Sequence, residues 1–133
     1  MTPWWRSERL RLALAALLQL GQICLAAASM NRDAGASYNI GPRDIEATLS
    51  PLTGRLRRAV ANHFEALCFF TIAVVVVTLS GSVSALTAGC AWVYLAARFL
   101  YVPAYALGWT PWRTGIFGIG LTATLVMILT ALF

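Results

Sequence analysis

The sequence predicts an all-α protein, an integral membrane bundle of four helices, and three observations lead there. Hydrophobic residues make up 59% of the 133 and charged residues only 11%, against about 25% charged in an ordinary soluble domain. The mean hydropathy is +0.73. The apolar residues gather into four stretches, each near the roughly 20 residues that a helix needs to cross a bilayer. Between them stand Gly, Pro, Ser and Asn, which stop helices and form turns. This pattern excludes a soluble enzyme, a disordered tail and a secreted disulfide miniprotein. Four spans also leave no room for a second domain, so residues 1–133 read as one.

The first span is predicted over residues 10–30, after Arg6, Arg9 and Arg11. A basic start, an apolar run and small residues at Ala26 to Ser29 also describe a secretory signal peptide, but its usual apolar region is roughly 7–15 residues. This longer run favours a retained helix. Residues 31–54 break all periodicity and read as one long loop, with Asn39, Gly41, Pro42, Ser50, Pro51 and Gly54 as turn formers. The second helix is expected over 55–79, ended by Ser80-Gly81-Ser82. The third is expected over 83–107, kinked by Pro103 and stopped by Gly108. Thr110 followed by Pro111 resembles an N-cap and first-position pair, which starts the fourth helix over 111–133.

All ten basic residues are Arg, giving a net charge of +5. They flank apolar spans rather than forming a dense run with interleaved aromatics, so they argue for topology and not for nucleic acid. Arg32, Arg43, Arg55, Arg57, Arg58 and Arg113 fall on one side of a four-span chain, and Arg6, Arg9 and Arg11 on the other. The positive-inside rule then puts both termini outside the cytoplasm. Cys24, Cys68 and Cys90 stand singly, without metal-ligand spacing, and read as small buried hydrophobes. No metal is expected. Gly115, Gly118 and Gly120 read as a helix-packing surface rather than a phosphate loop, because no strand precedes them.

The informative residues are those expensive to place in a bilayer. Glu65 and Arg98 lie at similar depth, about 15 Å from the same face at 1.5 Å per residue, and are expected to pair. Arg58, Asn62 and Glu65 stand at i, i+4 and i+7, within roughly 60° of one another on one helix face. Arg98, Tyr101 and Tyr105 form a second strip, and Arg113 opens the fourth helix beside both. The expected result is a cationic cleft between the last three spans. Three guanidiniums against one carboxylate point to an anionic ligand bearing carboxylates, which Arg grips bidentately. A purely structural network remains open for the Glu65 and Arg98 pair. His63 is a lone histidine pointing about 100° away from Asn62 and receives little weight.

At these residues the chain resembles the MAPEG family, the membrane-associated proteins of eicosanoid and glutathione metabolism. Arg58-Ala59-Val60-Ala61-Asn62-His63-Phe64-Glu65 is similar to the family's R-A-x-x-N-x-x-E signature. Ala97 to Tyr105 followed by Arg113 gives a second match. Tyr38-Asn39 and Pro42-Arg43 resemble a bacterial branch, which implies a bacterial inner membrane. The resemblance implies a homotrimer that binds glutathione between neighbouring subunits near the cytoplasmic face. Arg58, Asn62, Glu65, Tyr101 and Tyr105 would contact the tripeptide, with Arg98 part of the same cationic cleft, and Arg113 would lie near the sulfur in the catalytic position. Arg32 is the one candidate for an Arg that some members contribute from a neighbour's first helix. Ala61 stands where some members have another ligand-binding Arg, and Ala66 where others have Tyr. The implied activity is a glutathione-dependent transferase or peroxidase acting on a lipophilic electrophile. The alternative is a non-catalytic membrane protein that binds anionic lipid or a membrane partner. A transporter or channel fits less well, because few polar groups line the spans.

Overall fold

The computed structural model describes Pro3 and residues 7–133; Arg6, counted above for topology, lies outside them. Five helices follow in order: α1 Glu8–Ala34, α2 Ala36–Ile40, α3 Pro51–Leu79, α4 Ala85–Ala106 and α5 Trp112–Leu132. All but α2 are long and apolar enough to cross a membrane. The most extensive contacts pair α4 with α5 and α1 with α3, and α3 joins the two pairs.

The helix limits follow from local chemistry. Gly35, at φ 87°, ends α1, and its amide donates to Asn31 O at 2.9 Å. The expected loop shrinks accordingly, because α2 and the first turn of α3 occupy much of it. Ser50 and Pro51, read above as turn formers, are the N-cap and first residue of α3, and the Ser50 side chain accepts from Thr53 N. Helix α3 therefore starts four residues before Arg55. Gly81 and Gly108, both at φ 70°, close α3 and α4 in the same way. Ser82 N donates to Val77 O at 3.0 Å and Gly81 N to Thr78 O at 3.3 Å; Trp109 N donates to Ala104 O at 2.8 Å and Gly108 N to Tyr105 O at 3.1 Å. This is the paired 6→1 and 5→2 bonding that a left-handed glycine allows. Ser84 and Thr87 form a reciprocal capping box at the start of α4, which runs on through Pro103.

Helix α5 starts differently from its prediction. Pro111 takes the N-cap position, after a cis Thr110–Pro111 bond. Thr110 does not cap, because Arg113 N already donates to Trp109 O at 3.0 Å and Thr114 N to Pro111 O at 3.0 Å.

The core lies where α3, α4 and α5 meet, around Phe70, Val74, Val77, Tyr94, Leu95 and Met127, with Ala15 of α1 inserted. Phe70 and Tyr94 stack with centroids 4.0 Å apart. Among the three α5 glycines only Gly120 is a packing point within the chain, against Tyr94 and Ala97; a side chain at Gly115 or Gly118 would meet open space. Cys24 and Cys68 are exposed on the helix surfaces rather than buried, and Cys90 is half-buried.

One polar cluster ties the end of α1 to the start of α3. Asp33 Oδ2 accepts from Ser50 N at 2.9 Å, from Ser50 Oγ at 2.7 Å and from the Thr53 hydroxyl. Ser29 of α1 bonds the same Thr53 hydroxyl. Ser50→Ala removes the N-cap acceptor and one partner of Asp33 together. The expected loss is about 1 kcal/mol or more of unfolding free energy, read from a denaturant titration in mixed micelles. A change within error would show that the cluster does not hold this end of the bundle.

Candidate functional site

The ends of α3, α4 and α5 that meet at one face enclose a cleft of about 250 Å³, lined by Asn62, Tyr101, Tyr105, Arg113, Thr114 and Phe117. Tyr101 and Tyr105, one turn apart on α4, present tilted rings with centroids 5.5 Å apart. Two guanidiniums converge on Tyr105. Arg113 lies 4.7 Å from the ring centroid, and Arg58 lies 5.9 Å from it while its Nε donates to the phenol oxygen at 3.2 Å.

Arg98 forms the base of this arrangement. It is 2% exposed, its two Nη groups donate to Asn62 Oδ1 at 3.3 Å each, and its guanidinium stacks 4.4 Å from the Tyr101 ring centroid. Its Nε has no hydrogen-bond partner. Among the described residues the ion pairs are Glu8–Arg11 and Arg32–Asp33, so no carboxylate lies within 4 Å of Arg98. The predicted Glu65–Arg98 pair does not form. Equal depth was not enough, because rotation about α3 decides the matter. Glu65 stands about 160° around the helix from His63, and His63 is fully buried. Glu65 therefore faces away from the bundle and is exposed. The Arg98 side chain instead runs toward the membrane face, as long cationic side chains do, and meets Asn62. The structure thus brings Arg58, Asn62, Arg98, Tyr101, Tyr105 and Arg113 together and leaves Glu65 apart. Arg32, at the end of α1, is mostly solvent-facing and 3.5 Å from Asp33.

Arg55 adds a cation that the sequence reading left out of the cleft. A Cβ on Gly108 would lie 2.7 Å from Arg55 Nη1, so the guanidinium rests on the α4–α5 turn. The signal was available, since Gly108 lies in the turn that joins α4 and α5, two of the three helices that carry the cleft.

A second polar element was missed altogether. Glu8, Arg11, Gln19, Gln22 and Ser29 of α1 are all buried, while Leu17, Leu20, Ile23 and Leu25 are exposed. Arg11, counted above as a flanking charge, is buried beside Glu8 at 2.8 Å and lies 5.5 Å from the Trp92 ring centroid. Gln19 Nε2 donates to Val60 O at 3.2 Å, which turns its amide oxygen toward His63 Nδ1, 2.6 Å away. The geometry fixes His63 as the Nδ1–H tautomer, with Gln19 as acceptor. The lone histidine is thus an interhelical link between α1 and α3.

No three His, Cys, Asp or Glu side chains converge among the described residues in a way that could hold a metal. Neither a curated protein nor a solved structure matches the chain. A family model does, over residues 11–133, a stretch that holds every cleft residue named above and all four long helices but for the first three residues of α1. By that match over nearly its whole length, this multi-pass membrane protein belongs to the MAPEG family.

Proposed function

We propose that the cleft binds glutathione, and that the protein is a glutathione-dependent transferase or peroxidase acting on lipophilic electrophiles that arrive through the bilayer. The observation that carries this reading is Arg98, a buried guanidinium with no carboxylate of the described residues within 4 Å. A cation at bilayer depth is costly unless a charge partner or water meets it, and a ligand carboxylate supplies that partner. Arg58 and Arg98 then attract the two carboxylates of the tripeptide, Asn62, Tyr101 and Tyr105 supply polar edges, and Arg113 faces the sulfur. Thiolate is the nucleophile, and a neighbouring guanidinium favours it over thiol.

The cleft's volume of about 250 Å³ falls below the roughly 300–1,000 Å³ usual for small-molecule sites. A second wall is therefore needed. In the homotrimer implied by family membership, that wall is a neighbouring subunit, and the outward Glu65 is free to take the ligand's ammonium across the junction. On the positive-inside count the cleft opens to the cytoplasm, and both termini lie outside it. The cytoplasm is also the compartment that keeps thiols reduced. In a bacterium this membrane is the inner one.

Heating the detergent-purified protein with and without millimolar glutathione tests the reading. A ligand that binds the folded state raises the thermal midpoint by mass action, and the midpoint is expected to rise with glutathione. No shift with glutathione, together with a shift on adding anionic lipid that Arg58→Ala abolishes, would support the rival, a non-catalytic protein whose cleft takes a lipid headgroup.

A further inference from the structure

Behind Arg98, a small cavity lies between α3, α4 and α5, bounded by Ala66, Tyr94, Arg98, Gly120 and Thr124. Phe117 lines both this cavity and the cleft, so the cavity sits one layer beneath the cleft. Its volume is about 10 Å³, close to what one water molecule requires. Ala66 and Gly120 leave that room, because neither carries a side chain beyond Cβ.

Two buried polar atoms on its wall lack a hydrogen-bond partner, the Tyr94 hydroxyl and Arg98 Nε. Tyr94 is 1% exposed and Arg98 2%, and one turn of α4 separates them, which puts both on the same face. Neither is free to turn away. The Tyr94 ring stacks on Phe70 at 4.0 Å, and the Arg98 guanidinium is fixed by Asn62 and by the Tyr101 ring. The third polar group is the Thr124 hydroxyl, also buried. It donates to Gly120 O at 3.0 Å, so any further bond it makes is as an acceptor.

A guanidinium N–H that must donate, a phenol that does either and a hydroxyl oxygen that must accept are together the partner set of a water. We propose that this cavity binds one water molecule, which accepts from Arg98 Nε–H, shares a bond with the Tyr94 hydroxyl and donates to Thr124 Oγ1. About three bonds are usual for a buried water. A halide would lack the third, because Thr124 has given its hydrogen to Gly120. Tyr94 is thereby a positioning residue. Through the water it holds the Nε edge of Arg98, and the Nη groups stay on Asn62 at the cleft. The bridge holds Arg98 whether or not a ligand is in the cleft, and is independent of glutathione.

NMR of the detergent-purified protein carrying isotope-labelled arginine tests the bridge. The Arg98 Nε–H resonance, assigned by its loss in Arg98→Lys, is expected to show a cross-peak to a long-lived water. Tyr94→Phe and Thr124→Val each remove one partner at nearly constant volume, and each should shift that resonance and weaken the cross-peak. Each is also expected to lower the folded-to-unfolded ratio by about two- to tenfold. The double variant should lose at least about twofold less than the product of the two, because both act through one water. A structure at a resolution that shows ordered water gives an independent reading, with one peak expected within hydrogen-bond reach of all three atoms.

A direct Tyr94–Arg98 bond with nothing between, or an Arg98 Nε–H without a water cross-peak in the wild type, overturns the proposal. Single losses that simply multiply in the double variant also overturn it, as does an anomalous peak in the cavity when bromide replaces chloride in the buffer. None of these measurements uses glutathione, so failure of the bridge leaves that reading standing.

Discussion

On the proposed function, Arg113→Ala is expected to lower glutathione-dependent turnover of a model electrophile by about ten- to a hundredfold at neutral pH, since a cation within about 4–6 Å shifts an acid's pKa down by 1–3 units. The guanidinium stands over Tyr105, 4.7 Å from the ring centroid, at the lip of the cleft. Its removal raises the thiol pKa, so less thiolate is present near pH 7. The sign gives the test its edge, because raising the pH restores thiolate and should recover much of the lost rate at saturating glutathione. The variant's pH–rate profile therefore moves to the alkaline side, and Arg113→Lys recovers part of the activity. Unchanged turnover, or a loss of equal size at every pH, would remove Arg113 from the chemistry.

Gln19→Leu is expected to destabilise the bundle by about 1–3 kcal/mol, the cost of a buried donor left without its acceptor. The leucine is similar in length, so the loss falls on His63 Nδ1–H, whose partner at 2.6 Å disappears. Membrane hydrogen bonds of this kind are worth about 1–2 kcal/mol in model peptides and less in natural bundles. The double variant Gln19→Leu with His63→Leu isolates the pair term. It should lose less than the two single variants added together, with a coupling of about 0.5–2 kcal/mol. Denaturant titrations in mixed micelles measure this. Strict additivity would show that the contact adds nothing to stability.

Much of the architecture was legible because bilayer length and breaker residues act locally. Gly81 and Gly108 marked helix ends, and the structure puts both in left-handed caps. The ends that moved are those where a residue has two uses. Ser50 and Pro51 form turns, but they also start helices, and Asp33 of α1 holds Ser50 in the second role. That partner is 17 residues away in sequence, outside any local pattern.

The cleft divides in the same way. The spacing of Arg98, Tyr101 and Tyr105 placed them on one strip, and the structure joins them. Arg58, Asn62 and Glu65 were compared with one another and not with the stripe of α3 that is buried, so Glu65 was assigned inward. Had His63 been taken as the inward reference, the outward Glu65 would have followed by rotation alone. The polar stripe of α1 was also readable. Arg11, Gln19, Gln22 and Ser29 repeat at helical spacing, and α1 was treated as a uniform apolar span.

That stripe bears on how the chain is made. Helix α1 leaves the ribosome before α3, so Gln19 enters the bilayer with neither His63 nor the Val60 carbonyl in place. During that interval the helix has an amide-bearing side that lipid solvates poorly, which favours a waiting position beside the insertion machinery or at the interface. Arrival of α3 supplies the partners and fixes the relative height of the two helices. The Gln19 contacts with His63 and Val60 thus set the register of α1 against α3 while the leucines on the opposite side of α1 are left to lipid.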